Sequence, residues 1–491
     1  MPSARRRTLG PMRRWISQHR GALVVLLVIT LAGGVLRAGP AASPSRYQSV
    51  DERAYARLAR NLARTGTYGA PEMKDPVRWA PGAPAAFALA HELHPVKTTG
   101  QRWDVPSAYV FQWAFATALI PALFILAALI AGPVAGLLTA GAVAFYPPLI
   151  KATGDLLTEP LGALALTVAL IAVVLALRRP RPGRAALAGV LLGMTVLVRA
   201  DLLLVPLVLA GLLGIVAWRG SGRRAGLGVL AATVAGILVP LAPWSAYAST
   251  EAGRLVPVSS GGASNLYVGT YLPGEGTMFG LKREWAADVG RHFPALAGEP
   301  FWRLPQQRVI DTVAAAYPGA ADRESALRLA ALDNARDVLG NPFGFAAMSV
   351  QKVRRLWLGY NVGTMRNERG PIRAYHLLLV AIGFAGLLAG MLARRERAAE
   401  LGAIGLVVGY VTAVNVVLVS EARHNLPVMP VLVAGGVAGL AAAAMRIAAL
   451  RREPMRIPPL PRTRPAPVPA RAPAPQPAAA AVAAVRPERA A

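Results

Sequence analysis

Long apolar runs separated by short charged connections recur along most of the chain. Runs of about 17 to 25 mostly apolar residues can cross a hydrocarbon core of roughly 30 Å as helices. The pattern predicts ten such crossings. They fall at residues 21–36, 107–130, 133–150, 157–177, twice within 185–218, and at 227–247, 375–392, 401–419 and 426–450. As a single helix the 185–218 run would be about 50 Å long, too long to cross once. Basic clusters flank it at both ends, which requires an even number of crossings. Two short spans are therefore expected, with Arg199-Ala200-Asp201 at their turn.

The polar segments complete the layout. Residues 1–20 are basic and belong inside; a signal peptide has the same pattern, with 38–42 as its cleavage region, but the many later spans favour a retained first helix. Residues 39–106 form a first outer loop in which 51–65 reads as a surface helix. Its stripe of Ala54, Leu58, Ala59, Leu62 and Ala63 suits a membrane face. The largest outer segment is 248–372, with a Gly-rich loop at 259–267 and helices near 321–339 and 343–358. Lys352, Arg354, Arg355 and Trp357 give the last of these an interfacial look. Residues 451–491, rich in Pro, Ala and Arg, have no core-forming pattern and read as a disordered tail. Residues 21–450 thus form one transmembrane domain, with both termini cytoplasmic.

Composition agrees with a polytopic all-α membrane protein. Of 491 residues 54% are apolar and only 16% charged, where a soluble protein carries about 25% charged. The net charge of +28 does not point to nucleic acid, because the arginines cluster between apolar runs and in the tails, as topology determinants do. Without cysteine, no disulfide, thiolate nucleophile or cysteine metal site is available.

Under this topology the remaining charges meet at one rim: Asp51-Glu52, Asp155 with Glu159, Arg199 with Asp201, and Arg423 with His424. A transporter would place them nearer mid-span. Rim placement suits an enzyme with one lipid-anchored and one water-borne substrate. A carboxylate can take a proton from an attacking hydroxyl, and arginine pairs bidentately with phosphate. Each group also has a plain structural role: a helix cap for Asp51-Glu52, a first-turn acid for Asp155 and Glu159, an ion pair for Arg199–Asp201, an interface anchor for Arg423. A divalent cation could share the work of the arginines, although no spacing is metal-specific; His91 and His94 are a weak metal signal. Tyr146-Pro147-Pro148 reads as a helix end.

At these residues the chain resembles the GT-C membrane glycosyltransferases, near the protein O-mannosyltransferases and the aminoarabinose transferases of lipid A. Asp51-Glu52 ahead of Tyr55 and an amphipathic helix is similar to their first-loop motif. Pro81-Gly82-Ala83-Pro84 resembles their Pro-Gly-Tyr-Pro, with Ala for the aromatic. Leu157-Thr158-Glu159-Pro160, Gly193 to Arg199, Pro243-Trp244 and Glu421-Ala422-Arg423-His424-Asn425-Leu426-Pro427 resemble further motifs, the last with His in place of Tyr. The resemblance implies a GT-C fold and transfer of a sugar from a polyprenyl-phosphate donor to a glycan, lipid or protein acceptor on the extracytoplasmic side. It implies Asp51 as base, with Glu52 beside it, and Tyr55, Asp155, Glu159, Arg199, Asp201, Arg423 and His424 around the substrates. Usage rich in Ala, Gly, Arg and Pro is similar to that of high-GC actinobacterial proteins, which implies a bacterial plasma membrane and a decaprenyl phosphate carrier. A flippase for a polyprenyl-linked glycan and a non-catalytic envelope-assembly subunit remain alternatives.

Overall fold

A computed structural model describes residues 19–43, 49–69, 73, 75–93, 106–359, 370–393 and 397–452. The basic start of the chain, His94 and nearly all of the expected tail lie outside the described residues. Contacts divide the chain into Met1–Ile447 and Ala448–Ala491, and every functional residue considered below belongs to the first unit.

Among the described residues all regular structure is helical. Each of the ten expected apolar segments is matched. Among the described residues eight helices are long and apolar enough to cross a membrane, from Arg20–Ala42 to Met429–Leu450. The 133–150 segment is a pair, Pro133–Ala144 and Pro147–Gly154, bent by 60°. The 185–218 run breaks where expected, into the 17-residue helix Pro182–Val198 and the span Ala200–Ser221, with Arg199 between them. Prolines open several of these helices, at 133, 147, 160 and 182, where a missing N–H costs nothing.

The bend follows from local chemistry. In a continuous helix the N–H groups of residues 147 and 148 would bond to the carbonyls of Val143 and Ala144. Both positions are proline and have no N–H. The Arg37 guanidinium, from the first span, supplies the missing donors. It reaches Ala144 O at 2.7 Å, Val143 O at 3.0 Å and Gly33 O in its own helix at 2.9 Å. Arg37 is fully buried, and these carbonyls are what make a cation tolerable there. Elsewhere small residues set the packing: a Cβ on Gly386 would lie 2.1 Å from Gly436 O. The spans Pro371–Ala393 and Met429–Leu450 therefore touch backbone to backbone.

Three local expectations change. The stripe of the rim helix Val50–Thr65 does not face lipid. Ala59, with Leu62 and Ala63 beside it, packs instead with Ala83, Phe87 and Ala88 of the helix Gly82–Leu93 and with Leu156. The Gly-rich segment becomes helical from Gly262 to Thr270. It is held by Asn334, whose Nδ2 donates to Tyr267 O at 2.9 Å. Its Tyr267 and Val268 join Leu281, Ile310 and Leu327 in a separate core for the large loop. Lys352, on the helix Pro342–Leu358, turns inward; its Nζ donates to Gly269 O at 2.9 Å and Val416 O at 2.6 Å. The helix near 321–339 is found as Arg323–Gly340.

Replacing Arg37 by Met should cost about 2–4 kcal/mol, the loss of hydrogen bonds from a charged donor to buried carbonyls. Thermal unfolding of the detergent-solubilised protein measures it. The cost should shrink when Pro147 and Pro148 are both Ala, because the helix then supplies its own donors.

Candidate active site

The rim helix is started by a capping box. Ser49 Oγ accepts from Glu52 N at 3.2 Å, and Glu52 Oε2 accepts from Ser49 N at 2.7 Å. Glu52 Oε1 also accepts from Leu156 N at 3.1 Å. Glu52 is thus buried, 4% exposed, and both its oxygens are spent on backbone. It fixes the helix start against the loop ahead of the span Glu159–Arg178 and does not line the cavity.

That anchoring aims Asp51, one residue earlier, at a cavity of about 230 Å³. Trp79 Nε1 donates to Asp51 Oδ1 at 3.2 Å and Arg423 Nη2 donates to Oδ2 at 3.0 Å. Trp79 is presented by the short turn Pro76–Arg78 and Arg423 by the turn Ala422–Asn425. Arg423 Nε donates to Glu421 Oε2 at 2.8 Å, so one guanidinium joins two carboxylates.

Across the cavity Arg199 makes a two-pronged pair with Asp201, at 3.0 Å and 2.6 Å, and reaches Thr158 Oγ1 at 3.1 Å. Glu159 is 4% exposed, and its Oε2 has no hydrogen-bond partner. Tyr55, one helical turn after Asp51, lines the same wall. His424 Nδ1 lies 2.9 Å from Asn415 Oδ1 and 3.4 Å from Glu421 N, and Asn415 Nδ2 donates to Val411 O.

The electrostatics follow from burial and pairing. Burial opposes the charge on Arg199 and Arg423, but the carboxylates of Asp201, Glu421 and Asp51 outweigh it and hold both firmly protonated. Burial, with the positive charges of Arg423 and Arg199, lowers His424 to about 4 and keeps it neutral at pH 7. Burial, then the charges of Asp51 and Glu159, raises Tyr55 and keeps its phenol protonated. Glu421 is held below the usual carboxylate range by Arg423.

Of the residues expected at the rim, Asp51, Tyr55, Glu159, Arg199, Asp201, Arg423 and His424 line this one cavity. Asp155 and Glu52 stand behind its wall. Asp155 is raised to about 7, by burial and then by the charges of Glu52 and Glu159. His91 lies elsewhere, with Nδ1 unpartnered. Trp79, Asn415, Glu421 and Thr158 also line the site; none was given a site role in advance, although Thr158 and Glu421 lie within quoted motifs. Asn415, a lone amide in an apolar run, Glu421, two residues before Arg423, and Thr158, inside a quoted motif, carried a signal; Trp79 carried none.

The residues do not fit a resident metal. Among the described residues no group of three or more His, Asp or Glu is placed to hold one, and both Asp51 oxygens already have donors. The cationic groups here are guanidinium.

The sequence matches no protein-family model and no curated protein. The structure does have solved likenesses. The oligosaccharyltransferase AglB from Archaeoglobus fulgidus, solved with an inhibitory peptide and a dolichol-phosphate, superposes with a TM-score of 0.50 at 14% identity, over 89% of this chain and 51% of that one. The apo form of the Archaeoglobus fulgidus oligosaccharyltransferase gives 0.50 at 16%, over 84% and 50%. ArnT from Cupriavidus metallidurans bound to undecaprenyl phosphate gives 0.37 at 16%, over 89% and 78%. This chain is therefore a multi-pass membrane protein with the GT-C fold. It spans about half the length of the oligosaccharyltransferases it matches.

The Asp155 carboxyl gives a pH test. Because its folded value lies above its unfolded one, stability should fall as pH rises from about 4 through about 7. Asp155→Asn should remove that part of the loss, so its unfolding temperature should exceed the parent's at pH 8 and match it at pH 4. Equal differences at both pH values would refute the assignment.

Proposed function

We propose that the protein is a glycosyltransferase that moves a sugar from a polyprenyl-phosphate carrier to an acceptor hydroxyl. The observation that carries this reading is the Asp51 carboxylate, fixed by Trp79 and Arg423, in a cavity that also holds Arg199. A proton acceptor and phosphate-pairing cations share one small space.

The donor's shape is supported by a neighbouring apolar cavity of about 780 Å³, lined by residues such as Leu62, Pro81, Leu161, Leu197 and Trp244. Val198 lines both cavities. A prenyl chain in the apolar cavity would deliver its phosphate to the arginines. The oligosaccharyltransferase of like fold was solved with a dolichol-phosphate, which accords with a donor of this class. With the dense arginine clusters read as cytoplasmic, the cavity opens on the extracytoplasmic side. A carrier such as decaprenyl phosphate fits the chemistry.

In the reaction the acceptor oxygen bonds to the anomeric carbon as the bond from that carbon to the phosphate oxygen breaks, with inversion. The acceptor proton passes to Asp51. A carboxylate suffices, because the hydroxyl becomes acidic as its oxygen bonds to carbon. Polyprenyl phosphate leaves with its new charge facing Arg423 and Arg199, whose forks suit phosphate oxygens. Asp201 and Glu421 hold those forks; Glu52 holds the helix that aims the base. His424, neutral, adds a hydrogen-bonding group without further charge.

Transfer from a radiolabelled polyprenyl-phosphate sugar in membranes tests the reading. Asp51→Asn should lower turnover by about 10²–10⁴-fold. Glu52→Gln, which keeps one acceptor oxygen for the backbone, should retain most of it. Arg423→Lys should lose about tenfold or more, since Lys cannot span two partners. Full turnover in Asp51→Asn would sink the mechanism.

A further inference from the structure

A second polar cavity, of about 900 Å³, lies between the rim helix and the large loop. Trp79 and Arg78 line both it and the reaction cavity, so the two adjoin at these residues. Like the reaction cavity, and unlike the apolar one, it is lined by charge of both signs. Arginines and carboxylates mix along its walls in nearly equal number, among them Glu251, Arg254, Asp311, Asp322 and Arg323. Arg323 Nε lies 3.1 Å from Asp311 Oδ1, and Asp322 caps the next helix through Ser325 N at 2.7 Å.

This lining discriminates between ligand classes. A prenyl or acyl chain gains nothing from charged walls. A carbohydrate suits the walls: each hydroxyl both donates and accepts, so neighbouring hydroxyls pair with a carboxylate on one side and an arginine on the other. The volume lies near the top of the range for small-molecule sites, about 300–1,000 Å³, and exceeds that of the reaction cavity. Trp79 adds a flat apolar surface to the lining of both cavities.

We propose that this cavity is the acceptor subsite and that the acceptor is a carbohydrate chain, its reactive hydroxyl passing Trp79 to reach Asp51. The proposal rests on the transferase reading for its chemistry, but its binding can be measured without turnover. The probes are gluco-, manno- and arabino-tetraoses, with a Ser/Thr-rich decapeptide and short-chain phosphatidylinositol beside them. Binding is followed by saturation-transfer NMR on the full chain in nanodiscs.

At least one tetraose should bind, and Glu251→Gln and Arg254→Gln should each weaken it about tenfold, the loss of one charge-assisted hydrogen bond. Both variants should unfold at the parent's temperature, and Arg254→Lys should recover part of the loss. Asp51→Asn should bind the tetraose as the parent does. Absence of any transfer by the parent chain would overturn the transferase reading and leave the binding result standing, whereas transfer surviving in Asp51→Asn would remove only Asp51 as the base. Failure of every tetraose to bind, binding indifferent to Glu251 and Arg254, or preference for the decapeptide or the phospholipid would overturn the acceptor assignment.

Discussion

The contact on which the site depends is the ion pair between Asp51 and Arg423, 3.0 Å long and joining residues 372 positions apart. It ties the start of the rim helix to the turn before the last span. A pair drawn partly out of water gains little by itself, because desolvation opposes the Coulomb term. Here the surroundings complete it: Glu421 takes the second edge of the guanidinium and Trp79 the second carboxylate oxygen. Substrate must therefore enter a network already satisfied, and any anion that draws on Arg423 also changes what Asp51 faces.

One short segment organises the space around that network. Residues 78–82 contribute Arg78 and Trp79 to two polar cavities, Ala80 to the reaction cavity, and Pro81 and Gly82 to the apolar one. Gly82 is required there by contact: a Cβ would sit 2.7 Å from Val198 and 2.8 Å from Leu197 O. The backbone thus lies hard against the end of the helix Pro182–Val198. Fixing this segment fixes the walls of three chambers together.

The division between what was legible and what was not has a physical basis. Span positions and the break at Arg199 were readable, because a bilayer imposes length and charge asymmetry on sequence. The convergence of Asp51, Glu159, Arg199 and Arg423 followed from placing helix ends on one face. The fate of the rim-helix stripe was not readable: burial against lipid and burial against Phe87 ask for the same apolar residues. Nor was the difference between Asp51 and Glu52, adjacent acids of opposite fate, since only the position of Leu156 N decides which one the backbone claims. Trp79 was invisible for a related reason, because nothing within its own segment names a partner in the rim helix.

The Arg37 clamp bears on how the molecule is assembled. The first span is made long before the Tyr146-Pro147-Pro148 bend that neutralises it. Alone in a bilayer, that helix would carry a cation whose cost on the insertion scale is about 2.5–3.5 kcal/mol at mid-depth, and its side chain would snorkel toward the headgroups. Only when the carbonyls of Val143 and Ala144 arrive does turning inward become favourable. The bend in one span is thus the docking signal for another, and the two prolines that create it act as the key for a lock carried by the first helix.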